Sequence, residues 1–331
     1  MPKYGPHIAD IEKEVKERLE KLGLVPGYEF DANKHRERFY TAPCRDQKGR
    51  RVIFKMRTED YVPTRDYFRR EIKINRFFTQ YAAKGGSLLV PKFIDGDTVH
   101  SPEWMVYEFI PGREAGDFYN GLEDKNIKNF PLKSLIDGMR DMKSLGNLAQ
   151  ADVRLGAENY GDYRKALSDG IPILEPFFSS GEIAKAQEVI RKGKTLLDAK
   201  STVIAHGDFH PGNIIITGRK VAIIDWYYVH LNNIAYDFSF LLLEMPDPVI
   251  RKKYAEKFVS QVAAREKYFP ELLRLCLLRL AVQKIGVLKD ALYAKDPKRG
   301  DYYALLTDKG IAKLELSLEA FSAALEGKDF I

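Results

Sequence analysis

The chain has 331 residues, which is enough for two domains with separate apolar cores, and its 45% hydrophobic and 30% charged residues exclude wholesale disorder. No apolar run reaches the roughly 18 to 20 residues that span a bilayer, so we expect no membrane partner. The N-terminus lacks the apolar stretch of a secretory signal, and only two cysteines occur. We therefore expect a cytoplasmic protein with no disulfide framework. The net charge of the chain is +6, and residues 31–76 account for it, because they contain fourteen Lys and Arg but only seven Asp and Glu. We favour the interpretation that this segment is the solvated face of strands and a helix. The alternative is a surface that binds nucleotide phosphates or RNA.

The first third of the chain has the pattern of a small α+β lobe. Apolar residues at helical spacing from Ile8 to Leu22 predict a helix over 7–22 that ends at Gly23. Further along, the pattern predicts strands over 37–43 and 51–57 joined by a polar turn, a helix from Pro63 to Gly85-Gly86, and strands over 92–96 and 103–110.

Helical periodicity dominates after Gly112. We therefore predict an N-terminal lobe over 1–111, a hinge at about 107–114 and a mainly helical C-terminal lobe over 112–331. The helices are predicted over 131–148, 180–199, 235–245, 247–266, 270–293 and 301–326. Two short strands, 214–217 and 221–225, interrupt them and are joined by a turn at Gly218-Arg219.

A polar loop precedes the first of these two strands. It reads His206-Gly207-Asp208-Phe209-His210-Pro211-Gly212-Asn213, and Asp225 ends the second strand. Because the hairpin folds the chain back, we expect Asp225 to return near Asn213, where a carboxylate and an amide oxygen would suit Mg²⁺ bound with phosphates. Asp208 is then left to accept a proton from an incoming hydroxyl. Each fragment alone is also typical of a turn or a helix cap, and only their combination favours a site.

The two histidines of this loop could also suggest a metal pair. No cysteine and no third histidine lies near them in the sequence, and zinc sites need three or four protein ligands. We therefore interpret His206 and His210 as loop-packing residues, with His206 bonding to nearby backbone.

In these residues the chain resembles the aminoglycoside phosphotransferase and choline kinase superfamily, whose members are relatives of protein kinases. The loop 206–213 is similar to the family's catalytic loop, 222–226 to its metal-binding strand end, and 235–238 to a later segment that carries an Asp. The resemblance implies a bilobal, protein-kinase-like α+β fold. It also implies roles for five residues: Asp208 as catalytic base, Asn213 and Asp225 as Mg²⁺ ligands, and His206 and Asp237 as supports of the loop.

The resemblance extends to nucleotide-binding positions in the N-terminal lobe. It implies that Lys55 contacts the α- and β-phosphates of ATP and that Glu71, in the middle of the following helix, forms an ion pair with it. It also implies that the backbone carbonyl of Glu108 and the amide of Ile110 hydrogen-bond the adenine edge. Without the resemblance, Lys55 and Glu71 would be ordinary solvated side chains, and 105–112 would be an edge strand that ends in Pro-Gly.

Three positions depart from the family pattern. The segment 29–38, where a phosphate loop is expected, contains no glycine, so Lys34, His35 and Arg36 either supply charge to the phosphates or form a solvated turn. Tyr227 stands where the family often has Glu. Asn232 stands where Gly is common, which predicts a left-handed backbone that Asn tolerates.

The resemblance implies an ATP- and Mg²⁺-dependent kinase acting on a hydroxyl of a small metabolite or an aminoglycoside-like acceptor. Only eleven residues separate Asp225 from Asp237, which leaves no room for the activation loop of a protein kinase. We expect a monomer or homodimer with a small-molecule partner and no nucleic-acid partner. The alternative is a non-catalytic nucleotide-binding or RNA-associated protein of the same fold.

Overall fold

The structure is a computed structural model, and it describes residues 8–27, 38–59, 62–82, 88–118, 121–123, 129–293, 308–328 and 330. The chain divides into two compact units, residues 1–111 with 222–229, and residues 112–221 with 230–331. The first contains an antiparallel sheet and the second is mainly helical, so the predicted α+β class is confirmed. Lys34, His35 and Arg36 of the predicted phosphate loop lie outside the described residues. None of the helices described here combines the length and apolarity that a membrane crossing needs.

The first unit is built on a five-stranded antiparallel sheet with strand order β1-β2-β3-β5-β4. Its elements are α1 (Ile8–Lys21), β1 (Val25–Pro26), β2 (Phe39–Arg45), β3 (Arg51–Arg57), α2 (Val62–Ala82), β4 (Phe93–Asp97) and β5 (Trp104–Glu108). The helix predicted over 7–22 and the strand predicted over 51–57 are confirmed, while β2 begins and ends two residues later than predicted.

Side chains of β3 alternate between the two faces of this sheet. Val52, Phe54 and Met56 are fully buried in one core, together with apolar residues of α1. Since successive side chains of a strand point to opposite faces, Lys55 points to the other face, where α2 packs. There Phe68 of α2 belongs to a second, smaller core. The alternation of β3 therefore directs Lys55 toward α2.

The second unit consists mainly of helices. They are α3 (Leu132–Val153), α4 (Tyr160–Asp169), α5 (Ile171–Leu174), α6 (Ser180–Lys192), α7 (Lys194–Lys200), α8 (Tyr236–Leu242), α9 (Pro248–Phe258), α10 (Phe269–Tyr293) and α11 (Asp308–Glu326). The single helix predicted over 180–199 is wrong, because Gly193 separates α6 from α7. A Cβ atom at Gly193 would lie 2.6 Å from the buried Leu275 side chain, so a close approach to α10 requires glycine there.

Two other features of the second unit differ from the sequence prediction. The helix predicted over 247–266 continues from α9 as a π-helical turn, Val259–Ala263. The sequence pattern also missed α4, which begins with a capping box formed by Asn159 and Asp162.

Short strands hold the polar loop 206–213 at both of its ends. The loop follows β9 (Val203–Ala205), which pairs antiparallel with β12 (His230–Asn232). It ends in a 3₁₀ turn, Pro211–Asn213, and leads into β10 (Ile214–Thr217), which pairs with β6 (Arg113–Glu114). The second predicted strand of the hairpin is β11 (Lys220–Ile223). The second unit also contains β7 (Gly116–Asp117), which pairs antiparallel with β8 (Gly121–Leu122).

Candidate active site

Lys55 is the centre of a charged cluster within the first unit. Its Nζ lies 2.9 Å from each carboxylate oxygen of Glu71 and 2.7 Å from Oδ1 of Asp225. The Lys55 and Glu71 side chains are 6% and 1% exposed, whereas Asp225 is 47% exposed. The buried Glu71 therefore fixes the ammonium, and Asp225 is the member of the cluster that reaches solvent.

Electrostatics keep this cluster charged. Burial alone lowers the pKa of Lys55, but the carboxylates of Asp225 and Glu71 outweigh it and raise that pKa above its ordinary value. Burial raises the pKa of Glu71, and the Lys55 ammonium opposes the rise. Lys55 is thus a permanent cation beside a half-exposed carboxylate, an arrangement suited to binding phosphate oxygens.

The backbone at Asp225 has left-handed dihedrals, with φ 62° and ψ 61°. A non-glycine residue in this region costs about 1 to 2 kcal/mol, and such residues cluster at functional sites. Trp226 holds the strained turn, because its fully buried indole donates to the Ile223 carbonyl at 3.1 Å and packs on Phe78 of α2 at 4.6 Å. The same helix carries Glu71, so α2 positions both carboxylates around Lys55.

In the second unit, Asp237 anchors the start of the polar loop. Its carboxylate accepts the backbone amides of His206 at 2.6 Å and Gly207 at 3.3 Å. Burial raises the pKa of Asp237 to about 7, against the opposing effect of those two amides. The Nδ1 atom of His206 accepts the Asp208 amide at 3.3 Å, which continues the chain of contacts toward Asp208.

Asp208 lies in the middle of this loop. Burial alone would raise the pKa of its carboxyl group, but the neighbouring His210 and, after it, His206 and Lys284 outweigh burial and hold the pKa below its usual value. Asp208 is therefore ionised at neutral pH and able to accept a proton. Its backbone carbonyl accepts Nδ2 of Asn213 at 2.9 Å.

The oxygen ligands present fit Mg²⁺. Because Nδ2 of Asn213 is engaged as a donor, its amide Oδ1 is left as the ligand atom, and Asp225 contributes a half-exposed carboxylate. Among the described residues there is no group of three or more His, Cys, Asp or Glu side chains that could hold a metal by themselves. Asn213 belongs to the second unit and Asp225 to the first, and each carries an oxygen of the type that Mg²⁺ takes together with phosphates and water.

The hinge positions lie at the end of β5. The amide of Glu108 donates to the Lys92 carbonyl at 2.9 Å, and that of Phe109 donates to the Arg51 carbonyl at 3.4 Å. Among the hydrogen bonds of the described residues, Ile110 is the first position past β5 whose amide is not tied to the sheet. The chain thus leaves the sheet where the base-binding residues were predicted.

The two other positions that depart from the family pattern, Tyr227 and Asn232, are both buried. Tyr227 is 5% exposed and packs edge-on against Phe39 at 5.0 Å in the core of the first unit. The left-handed backbone predicted for Asn232 is wrong, because β12 holds it extended and its buried amide accepts the Tyr163 hydroxyl at 2.9 Å. Among the described residues other than glycine, only Arg154 and Asp225 have positive φ.

Sequence reasoning missed two contacts of the site. The direct contact between Lys55 and Asp225 joins residues 170 positions apart, and no local pattern indicates it. The approach of His210 to Asp208 was also missed, although their spacing of two in a turn was a usable signal. Nε2 of His210 lies 3.6 Å from Oδ2 of Asp208.

The chain is similar to a known protein family. A family model described as "Phosphotransferase enzyme family" matches residues 44–275. No curated protein matches the sequence.

Solved structures similar to this chain include antibiotic phosphotransferases. The complex of APH(2")-IIia with GDP and kanamycin has 14% identity and a TM-score of 0.59, with 92% of this chain and 98% of that chain covered. The macrolide 2'-phosphotransferase MphH from Brachybacterium faecium has 15% identity and a TM-score of 0.57, with 89% and 98% covered. A thermostable mutant of aminoglycoside phosphotransferase APH(4)-Ia, in a ternary complex with ADP and hygromycin B, has 14% identity and a TM-score of 0.54, with 94% and 97% covered.

Proposed function

Because the chain belongs to the phosphotransferase enzyme family, we propose that it transfers the γ-phosphate of ATP to a hydroxyl group of a small molecule, with Mg²⁺ as cofactor. The observation that carries the proposal is the cluster at Lys55. A buried lysine that is fixed by a buried glutamate and faces a half-exposed aspartate supplies a cation for phosphates and a ligand for their metal.

Asp208 would act as the base. Its carboxylate takes the acceptor proton as the acceptor oxygen bonds to the γ-phosphorus. The bond from that phosphorus to the bridging oxygen breaks, and ADP leaves with the electron pair. The lowered pKa of Asp208 supports this role, since the group is ionised before the acceptor binds.

Asn213 and Asp225 would hold Mg²⁺, which when bound offsets the charge on the phosphates. The contribution of the protein is then mostly positional. Lys55 orients the phosphates, and the Ile110 amide with the Glu108 carbonyl would orient the base. The complexes of similar proteins with ADP and GDP support a nucleotide as the donor.

The path of the chain after Asp225 supports a small acceptor rather than a protein. Residues 226–228 form a 3₁₀ turn, β12 pairs with β9, and α8 begins at Tyr236. This segment contains no long loop that a polypeptide substrate could dock against. Kanamycin, hygromycin B and macrolides, which occur in the names of the similar structures, are among the acceptors to test.

The direct test is ATP consumption in the presence of Mg²⁺ over a panel of amino alcohols, sugars, hydroxylated metabolites and antibiotics. We expect at least one hydroxyl compound to become phosphorylated by the wild-type protein and none by Asp208→Asn. ATP binding without transfer to any member of the panel would favour the non-catalytic alternative, and transfer by Asp208→Asn would refute the assigned base.

A further inference from the structure

We propose that His210 is a positioning residue that orients Asp208 through its Nε2–H group. The ring would hold Oδ2 of Asp208, so that Oδ1 is the oxygen that takes the acceptor proton. This inference rests on the proposed function and goes beyond it, because it assigns a role to a residue outside the sites for phosphate, metal and base.

The first observation is the tautomer of the ring. Nδ1 of His210 accepts the backbone amide of Gly212 at 3.1 Å. A nitrogen that accepts a hydrogen bond carries no proton, so a neutral imidazole has its proton on Nε2. That nitrogen lies 3.6 Å from Oδ2 of Asp208. The backbone of the loop therefore selects the tautomer that turns a donor toward the carboxylate.

The second observation is that the ring is held in place from several directions. Its edge-to-face partner is Phe118, with ring centroids 5.1 Å apart and an interplanar angle of 85°. Phe118 is itself fixed, because Nζ of the buried Lys313 donates to its carbonyl at 2.6 Å. The His210 side chain is only 13% exposed. A ring confined in this way can hold a neighbouring carboxylate, which a solvated side chain cannot.

Gly212 provides the space for the ring. A Cβ atom at this position would lie 2.9 Å from Cε1 and 3.0 Å from Nδ1 of His210. Any larger residue at position 212 would therefore displace the imidazole, although the ring could still donate a hydrogen bond. The position of the His210 ring thus depends on glycine at position 212.

The separation of 3.6 Å is longer than a hydrogen bond. Catalytic hydrogen bonds are often long before substrate binds and shorten in the complex. Positioning is worth much in phosphoryl transfer, and a displacement of about 1 Å can cost about 10²-fold in rate. We therefore expect loss of the His210 donor to lower kcat by about 10²-fold and to leave the KM for ATP nearly unchanged.

The kinetic test compares His210→Leu, which removes the donor, with His210→Gln, whose amide places an N–H group near the position of Nε2. Gly212→Ala is the displacement variant. We expect His210→Leu and Gly212→Ala to lose kcat, and His210→Gln to recover a large part of it. Equal kcat in the wild type and His210→Leu would overturn the inference while the proposed function stands.

A second readout does not depend on activity. Nitrogen-15 NMR of the histidine side chains in the full-length protein reports which ring nitrogen carries the proton. We expect a protonated Nε2 for His210 and a shift of its signals in Asp208→Asn. The reference is His100, whose side chain is 79% exposed and whose Nδ1 lies 2.7 Å from Oδ2 of Asp97. A proton on Nδ1, or no response to Asp208→Asn, would overturn the inference, including in the case where no acceptor is phosphorylated and the proposed function fails.

Discussion

Asp208 bears a negative charge inside a mostly buried loop because His210, His206 and Lys284 offset the cost of burial. Asp237 lies 31 residues beyond His206 in the chain, yet its carboxylate accepts the backbone amide of His206. Single charged side chains thus determine the protonation of Asp208 and the position of its loop.

Asp208→Asn should abolish phosphoryl transfer, because an amide cannot take the acceptor proton. General bases contribute about 10² to 10⁴-fold to rate. The affinity for ATP should remain close to that of the wild type, since the base acts on the acceptor. Turnover and calorimetric ATP binding measure the two quantities, and Asp152→Asn, at an exposed position of α3, serves as the control. Substantial turnover by Asp208→Asn would contradict the assignment.

Lys55→Met and Glu71→Gln should both lower kcat/KM for ATP, with the larger loss at Lys55. Glu71 acts through the lysine, and Asp225 still holds the ammonium when Glu71 is replaced. The two losses should therefore not add. A double-mutant cycle on kcat/KM should give a coupling energy of about 0.5 to 3 kcal/mol, and strictly additive losses would show that the contact does not position the phosphates.

At the scale of elements, α3 supports the strand that leads into the polar loop. Gly146 of α3 lies so close to the residue before β9 that a Cβ atom there would be 1.8 Å from the Thr202 carbonyl oxygen. Since Thr202 contributes a backbone atom rather than a flexible side chain, the helix and the strand would have to separate to admit a methyl group.

Gly146→Ala should lower the free energy of unfolding by about 1 to 3 kcal/mol and should also lower turnover, because β9 sets the position of His206. The matched control is Gly181→Ala in α6, where the added Cβ meets only Ser179 Oγ at 3.9 Å and the glycine is exposed. That change should be neutral or stabilising by up to about 1 kcal/mol. Thermal and denaturant unfolding measure both variants, and equal stabilities would contradict the close contact.

Periodicity predicted elements well where one face was buried and poorly where contacts from elsewhere in the chain decided the outcome. Strand 51–57 was predicted over its full length, because its apolar residues Val52, Phe54 and Met56 recur at every second position and share one core. The region 180–199 has continuous helical periodicity, yet Gly193 separates α6 from α7, and no local signal predicts the close contact of Gly193 with Leu275. Likewise, the roles that we propose for Asp208, Asn213 and Asp225 come from a local sequence pattern, whereas the contact of Lys55 with Asp225 arises only from tertiary structure.

At the scale of the whole molecule, several positively charged side chains of residues 31–76 form contacts within the protein. Lys55 is buried in the ion-pair cluster, and the buried Arg57 donates to Glu103 at 2.7 Å. Arg76 donates to the Gly96 carbonyl at 2.7 Å and stacks on Phe93. Several of the cations that suggested a nucleic-acid surface are therefore structural.

The acceptor should be a small molecule rather than a protein. With labelled ATP, we expect a compound in the hydroxyl panel to be labelled much faster than serine residues in a mixed protein substrate. The short connection from Asp225 to α8 is the reason, because it offers a polypeptide no docking segment. Efficient labelling of protein, with no small molecule labelled at a comparable rate, would refute this prediction.

Residues 222–229 belong to the first unit although they follow more than half of the second unit in sequence. For protein engineering this means that one cut at residue 111 does not release a complete lobe. A fragment of residues 1–111 would lack Trp226 and Tyr227, leaving Phe78 and Phe39 exposed to water. We expect such a fragment to aggregate when expressed alone. Supplying 112–331 in the same cell should restore its solubility, so the enzyme is a candidate for split-protein reporters whose halves fold only together.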